Sequence, residues 1–244
     1  MTVSNLFYIG HRYTNSKMII KNSSILTLFE DIAGMHSNAA GEDYRISNSR
    51  WLLTSYKIKI LQKPRYGDEV DIITWATETK NITASREFEV RDKNGQLLIC
   101  ALSNWVHYNI VEKKFDKVSD TLIAAYTSHP EKTNFGEFRL RKLSEPATYY
   151  YNVEKQINPA WIDVNMHLNN AHYLDLANEI VPAEIDLEQD IDCIDIMYKH
   201  EIPAGATVSC FYTETDDEYI ITYKSIDGAE LHAIIIFHKT NDVI

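Results

Sequence analysis

Cysteine is scarce in this 244-residue chain. There are three, Cys100, Cys193 and Cys210, odd in number and never spaced C-x-x-C. Neither a disulfide framework nor a zinc knuckle is indicated. Glycine (8) and proline (6) are also few, and no apolar run approaches the ~20 residues of a membrane span. Cations are outnumbered: 24 Lys and Arg against 35 Asp and Glu leave a formal charge of −11. That weighs against nucleic-acid binding, which needs basic side chains to replace counterions on phosphates, and against adhesion to anionic membranes. Neither is expected as a partner. The opening Met1-Thr-Val-Ser-Asn-Leu-Phe-Tyr8 lacks the basic and apolar regions of a secretory signal and the Arg-rich character of a transit peptide. The expected compartment is the cytoplasm. No Gly-x-Ser-x-Gly occurs, which argues against an α/β-hydrolase. No Gly-x-Gly-x-x-Gly or P-loop occurs, so no nucleotide cofactor is implied.

What is present is a globular composition with 45% hydrophobic residues and 15 tyrosines, which favours strands. The spacing of Ile25, Leu28, Phe29 and Ile32, with Asn22, Ser23 or Ser24 as cap, predicts a helix from about Asn22 to Asn38. Strands are expected at 56–60, 70–76, 86–91 and 97–108, with a turn signal at Asp92-Lys-Asn-Gly95. A polar stretch from Asp116 to Pro146 reads as a short helix and linker. The order then repeats: a strand at 148–154, a helix from Asn169 to about Ile180, and strands at 193–199, 206–215, 218–224 and 233–238. Gly67-Asp-Glu-Val70 answers Gly205-Ala-Thr-Val208, each shortly after a proline. The reading is an N-terminal unit at 1–130, a linker at 131–147 and a C-terminal unit at 148–244. Each unit is expected to be α+β, a long helix wrapped by a curved antiparallel sheet.

The most informative stretch is Trp161-Ile-Asp-Val-Asn-Met-His-Leu-Asn-Asn-Ala-His-Tyr173. Asp163, Asn165 and His167 are spaced by two, so in an extended chain they share a face, while Ile162, Val164, Met166 and Leu168 take the buried parity. A helix starting at Asn169 would add its free N–H groups. A base, donors for an oxyanion and an orienting group are what attack of water on an acyl carbonyl requires. A second acid, Glu201, ends a strand. Asp-x-Asn-x-His is equally the composition of an ordinary turn and cap, and Glu201 that of a solvated strand end.

The run Asp163-Val-Asn-Met-His-Leu-Asn-Asn-Ala-His-Tyr173, with Tyr198-Lys-His-Glu-Ile202 about thirty residues on, resembles the acyl–acyl carrier protein (acyl-ACP) thioesterases, bacterial relatives of the plant plastid enzymes. Trp51 to Ile60, Thr74-Trp75, Arg86 to Asp92 and Trp105 extend the resemblance over nearly the whole chain. It implies two tandem hot-dog units and hydrolysis of a fatty acyl-ACP thioester, with acyl carrier protein as partner. It also implies a catalytic group of Asp163, Asn165, His167 and Glu201. The cysteine that follows the glutamate in the plant enzymes is Ile202 here, so activated water rather than a thiol is the expected nucleophile. Glu201 is read as base, directly or through His167, with His167 as direct base the alternative. Expected substrate contacts are Asn169, Asn170, Tyr173, Phe29, Ile32, Met35 and Tyr56, the last four also fitting ordinary core.

Aligning Gly67 with Gly205 sets Lys63 opposite Glu201, so one site per chain is expected. His232 and His238 share strand parity without an evident third ligand, and His172 reads as a helix-surface residue. No metal or other cofactor is expected. An acidic carrier would need a basic patch, with Lys57, Lys59, Lys63, Arg65, Arg139, Arg141, Lys142 and Lys199 as candidates. A homodimer is left open. The competing functions are an acyl-CoA thioesterase, a hydroxyacyl-thioester dehydratase and a non-catalytic acyl binder.

Overall fold

The computed structural model describes residues 1–136 and 139–240. Residues 137 and 138 of the expected linker, and the last four of the expected second unit, lie outside them. The chain divides into two compact units, Met1–Ile20 with Thr27–Arg141 and Lys21–Leu26 with Lys142–Ile244. The division after Arg141 falls within the stretch read as linker. Lys21–Leu26 groups with the second unit, a departure from the simple split at 130.

The first unit contains β1 (Thr2–Tyr8), α1 (Asn22–Ala39) from Thr27 onward, β2 (Ser49–Ile60), β3 (Glu69–Lys80), β4 (Thr83–Asp92), β5 (Leu97–Asn109), β6 (Lys114–Phe115) and α2 (Asp120–Tyr126). Its strands lie antiparallel in the order β1-β3-β4-β5-β2, with β6 against β5. Ile25, Leu28, Phe29 and Ile32 are buried, as their helical spacing demands. Phe29 stacks on Phe88 of β4 at 4.5 Å, and its ring lies 6.3 Å from Tyr56 of β2. Each such side chain contributes roughly 1.5–3 kcal/mol on burial.

The opposite face of β4 is covered as well. Glu87 there is fully buried, and its carboxylate accepts from Thr133 Oγ1 (2.7 Å), Asn134 N (3.1 Å) and Asn134 Nδ2 (2.7 Å). Trp75 donates Nε1–H to the Lys132 carbonyl at 2.8 Å, and the Lys132 ammonium sits 3.6 Å above its ring. The segment read as linker thus begins as a strap. It explains why Ser85 to Val90 are buried at both parities. Burial raises the Glu87 carboxyl, and the three hydrogen bonds oppose that.

Beneath α1 lies a polar cluster. Buried Arg86 donates to His36 Nδ1 (2.7 Å) and Thr74 Oγ1 (3.2 Å), its guanidinium 5.7 Å from the Tyr126 ring centroid. Tyr126 donates to Glu42. Burial, together with the Arg86 charge, pushes the His36 imidazole down to about 3.

The second unit contains β7 (Tyr151–Gln156), α3 (His172–Asn178), β8 (Ile191–Tyr198), β9 (Thr207–Glu214), β10 (Glu218–Ser225) and β11 (Leu231–Lys239), ordered β8-β11-β10-β9-β7 and antiparallel. The helix is shorter than the expected span of Asn169 to Ile180. At its start Asn169 Oδ1 takes the Ala171 N–H, and the Asn169 carbonyl takes the His172 N–H. At its end Glu179 and Ile180 make i→i−3 bonds. Both flanks are therefore tight turns. A long helix wrapped by a sheet describes the first unit; α3 spans seven residues. Among the described residues no helix is long and apolar enough to cross a membrane.

Two outcomes follow from the buried charges. His36 stays neutral in the fold while the unfolded chain protonates it below about pH 6.5. Its contribution to stability is therefore present above that pH and lost as the pH falls towards 3. His36→Gln should remove about one proton from the uptake on unfolding near pH 5, read from the pH dependence of urea midpoints. Glu87→Ala frees the strap and should cost about 2 kcal/mol or more in the same measurement.

Candidate active site

The segment carrying the motif is a turn rather than an extended strand. A 3-10 turn at Pro159–Trp161 leads into it. Asp163 Oδ1 then accepts the N–H groups of Asn165 (2.8 Å) and His167 (3.3 Å), and Asp163 N donates to the His167 carbonyl at 2.9 Å. Met166 takes a positive φ of 64° to close the loop. The alternating-face reading is thereby corrected. Val164 and Met166 point to solvent, 83% and 64% exposed, while Leu168 is buried. Asp163, Asn165 and His167 are gathered by an Asx-type turn, in which a short carboxylate substitutes for a backbone acceptor.

Backbone pairing then sets this loop beside the end of the β8 segment. Leu168 N donates to Ile202 O (2.8 Å), Ala204 N donates to Met166 O (2.9 Å), and His167 bridges Pro203. The result brings His167 Nε2 to 3.9 Å from Glu201 Oε1, with side chains 34% and 67% exposed. That is ion-pair range, too long for a direct hydrogen bond and open enough for a water oxygen to contact both. Asn165 Nδ2 donates to Asp163 Oδ2 at 3.1 Å. All four residues of the expected catalytic group therefore lie on two segments stitched together.

The helix begins three residues later than expected. α3 starts at His172, and the N–H groups of Ala171 and His172 are taken by the Asn169 turn. Asn169 is a turn former, Asn170 accepts the Tyr198 hydroxyl through its carbonyl (2.9 Å), and Tyr173 is buried. Burial holds the Tyr173 hydroxyl well above its ordinary range, although it takes a backbone hydrogen bond from Ile202. Tyr173 thus braces the residue after Glu201. In the first unit Phe29, Ile32 and Tyr56 are packed core, and Met35 is 41% exposed.

His172 is not a simple helix-surface residue. Its ring stacks on Trp161 at 5.4 Å, and its Nδ1 lies 2.6 Å from Asp175 Oδ2. Asp175 also accepts from Ser23 Oγ at 2.7 Å. Burial works to raise the Asp175 carboxyl, but these hydrogen bonds outweigh it and hold it below the usual range. Of the basic candidates, Arg139 faces Glu78 at 3.9 Å and Lys57 lies over the Phe135 ring.

The first unit contains the same turn with different side chains. Asn15 Oδ1 accepts from Lys17 N (2.9 Å) and Ile19 N (3.3 Å), Asn15 N donates to Ile19 O, and Met18 has φ 59°. Ile20 N donates to Pro64 O and Tyr66 N to Met18 O, both at 2.9 Å, while Ile19 bridges Arg65. Asn15, Lys17, Ile19 and Lys63 thus occupy the positions of Asp163, Asn165, His167 and Glu201. The two turns thus share a backbone and differ in the side chains it displays.

The family model for the acyl-ACP thioesterase N-terminal domain matches residues 7–126, and that for the C-terminal domain matches residues 150–239. The chain belongs to the acyl-ACP thioesterase family. It is 28% identical over 177 residues to the chloroplastic oleoyl-acyl carrier protein thioesterase 1 of Arabidopsis thaliana, covering 68% of this chain and 49% of that protein. To the Coriandrum sativum oleoyl-acyl carrier protein thioesterase it is 25% identical over 241 residues, covering 90% and 64%. The chain thus spans between about half and just under two thirds of these curated relatives. Among solved structures, an acyl-ACP thioesterase from Bacteroides thetaiotaomicron superposes with a TM-score of 0.84 at 20% identity, covering 97% of each chain. The 12:0-ACP thioesterase of Umbellularia californica superposes at 0.81 with 19% identity, covering 97% and 96%. At these identities the likeness establishes the hot-dog fold, the α+β class expected for this family member.

The duplicated turn predicts how Asp163 tolerates change. Asp163→Asn preserves the acceptor that Asn15 already supplies in the first unit, and should leave thermal stability within about 0.5 kcal/mol. Asp163→Ala loses both backbone bonds and should cost about 1 kcal/mol. Denaturant midpoints of the two variants check this.

Proposed function

We propose that the chain hydrolyses the thioester of a fatty acyl chain carried on acyl carrier protein, releasing free fatty acid and the carrier's thiol. The observation that carries the reading is the 3.9 Å approach of His167 and Glu201 on the second unit, beside an Asn165 amide steadied by Asp163. Water between His167 and Glu201 gives up a proton to Glu201 and attacks the carbonyl carbon. Asn165 donates to the oxygen as negative charge develops there. When the carbon–sulfur bond breaks, the proton held by Glu201 passes through His167 to the departing thiolate, which restores both side chains. With Ile202 where the plant enzymes have cysteine, no acyl-enzyme thioester forms at that position. Asp163 acts through the loop, holding Asn165 and His167, and is a positioning residue.

Family membership supports the carrier-bound substrate. The formal charge of −11 supplies the second reading, a coenzyme A thioester, since an acidic carrier is repelled at long range. In the first unit, Phe29, Ile32 and Tyr56 are proposed to border the acyl chain, and Asn169, Asn170 and Tyr173 to shape the site around the thioester.

Release of thiol from matched acyl-ACP and acyl-CoA substrates tests both. Higher kcat/KM on the carrier supports the first reading; preference for the CoA ester establishes the second. Glu201→Gln and His167→Ala should each lower kcat about 10²–10⁴-fold with circular dichroism unchanged. Near-normal turnover by either variant removes that residue from the mechanism. Enoyl product in place of free acid would replace hydrolysis with dehydration.

A further inference from the structure

We propose that the second unit carries a binding site for one borderline divalent transition metal, zinc(II) foremost, formed by Cys193, Asp195 and His238. The three converge by strand register. Cys193 and Asp195 are two residues apart on β8 and so share a face, opposite to buried Ile194 and Ile196. His238 of β11 pairs directly with Cys193, and Ile236 with Asp195. One ligand atom from each side chain lies within 4.8 Å of the other two.

The donor chemistry selects the metal. Sulfur, imidazole nitrogen and carboxylate oxygen together suit zinc(II) or cobalt(II), whereas magnesium and calcium take oxygen ligands. Tetrahedral zinc with bonds of about 2.0–2.3 Å needs ligand atoms roughly 3.3–3.8 Å apart. The His238 Nε2 to Asp195 Oδ2 distance is already 3.0 Å, and the Cys193 thiol lies within 4.8 Å of a ligand atom of each. Three protein ligands leave a fourth position for water.

A second observation points the same way. Glu218 of β10 pairs with His238 from the other side, and its Oε1 lies 3.4 Å from His238 Nδ1. A carboxylate behind one ring nitrogen fixes the imidazole so that the other faces the metal, the usual outer support of a metal-bound histidine. The His238, Asp195 and Glu218 side chains are 27%, 13% and 26% exposed, so the position is sheltered yet reachable. Coordination displaces the Cys193 thiol proton and the proton that Nε2 shares with Asp195, so protons are released as the metal enters. Cys100 and Cys210 offer no rival thiolate, being pushed up by burial to about 11 and about 12. His232 is not among the converging side chains, and its Nδ1 lies 3.2 Å from the His200 carbonyl. The bound metal would clamp β8 to β11, and β8 runs on towards Glu201.

Titration of the tag-free full chain with cobalt(II), then zinc(II), tests the site. One cobalt per chain is expected, with thiolate-to-cobalt absorption in the near ultraviolet that zinc abolishes. Cys193→Ser should remove the band, His238→Gln should prevent stoichiometric uptake, and Glu218→Gln should weaken affinity about 10–100-fold. Surface His200→Gln should change nothing. Should Cys193→Ser fail to fold, Asp195→Asn is the substitute and must weaken binding with the band retained. Absence of stoichiometric cobalt uptake by the wild-type chain overturns the proposal and leaves His238 as an ion-pair clasp between Asp195 and Glu218. A band that survives Cys193→Ser overturns it equally.

Discussion

A buried backbone hydrogen bond joins each turn to the distant chain beside it. In the first unit Ile20 donates to the Pro64 carbonyl; in the second Leu168 donates to that of Ile202. Both donors belong to buried residues, so breaking either bond leaves an unpaired amide away from water. That constraint determines where the Asx turn lies relative to the chain ahead of β3 or β9. Once it is satisfied, residue 167 must stand beside residue 201. The proximity of imidazole and carboxylate is therefore a property of the backbone, not of any attraction between the two side chains.

Regular elements were legible wherever burial imposed a period. α1 is readable because Ile25, Leu28, Phe29 and Ile32 answer one face, and the end of β2 because apolar and basic residues alternate from Tyr56 to Ile60; Ser49 to Ser55 lack that signal. β1 is not readable, since Leu6 and Tyr8 are exposed and Thr2–Tyr8 shows no alternation. The extent of α3 was overread because Asn169 looks like a helix cap and instead terminates a separate turn. For the expected catalytic group, the sequence shows residue types and order but not the geometry that brings them together. Spacing by two suggested a strand, whereas a side-chain acceptor and the positive φ of Met166 make a turn.

The internal repeat shows the same limit. Glycines and prolines around Gly67 and Gly205 reveal it, because the left-handed φ of 93° and 78° there restricts the residue type. The earlier part of the repeat is hidden: Asn15 and Asp163 share only the ability to accept two amide hydrogens, and Lys17 and Ile19 have nothing chemical in common with Asn165 and His167. Likewise Cys193, Asp195 and His238 become neighbours only when the β8–β11 register is known, and Glu87 reveals its strap only once Thr133 and Asn134 are seen to lie on it.

The paired turns have a consequence for how two halves of one chain can diverge. Because the loop is held by an Asx acceptor, a left-handed methionine and backbone bonds, its outward side chains carry little of the folding free energy. Positions 165, 167 and 201, with their counterparts 17, 19 and 63, can therefore differ in chemistry between the two units while the backbone they stand on stays the same. Two units built on such a turn can differ freely in what they present: one displays an imidazole and a carboxylate, the other lysines, on the same backbone.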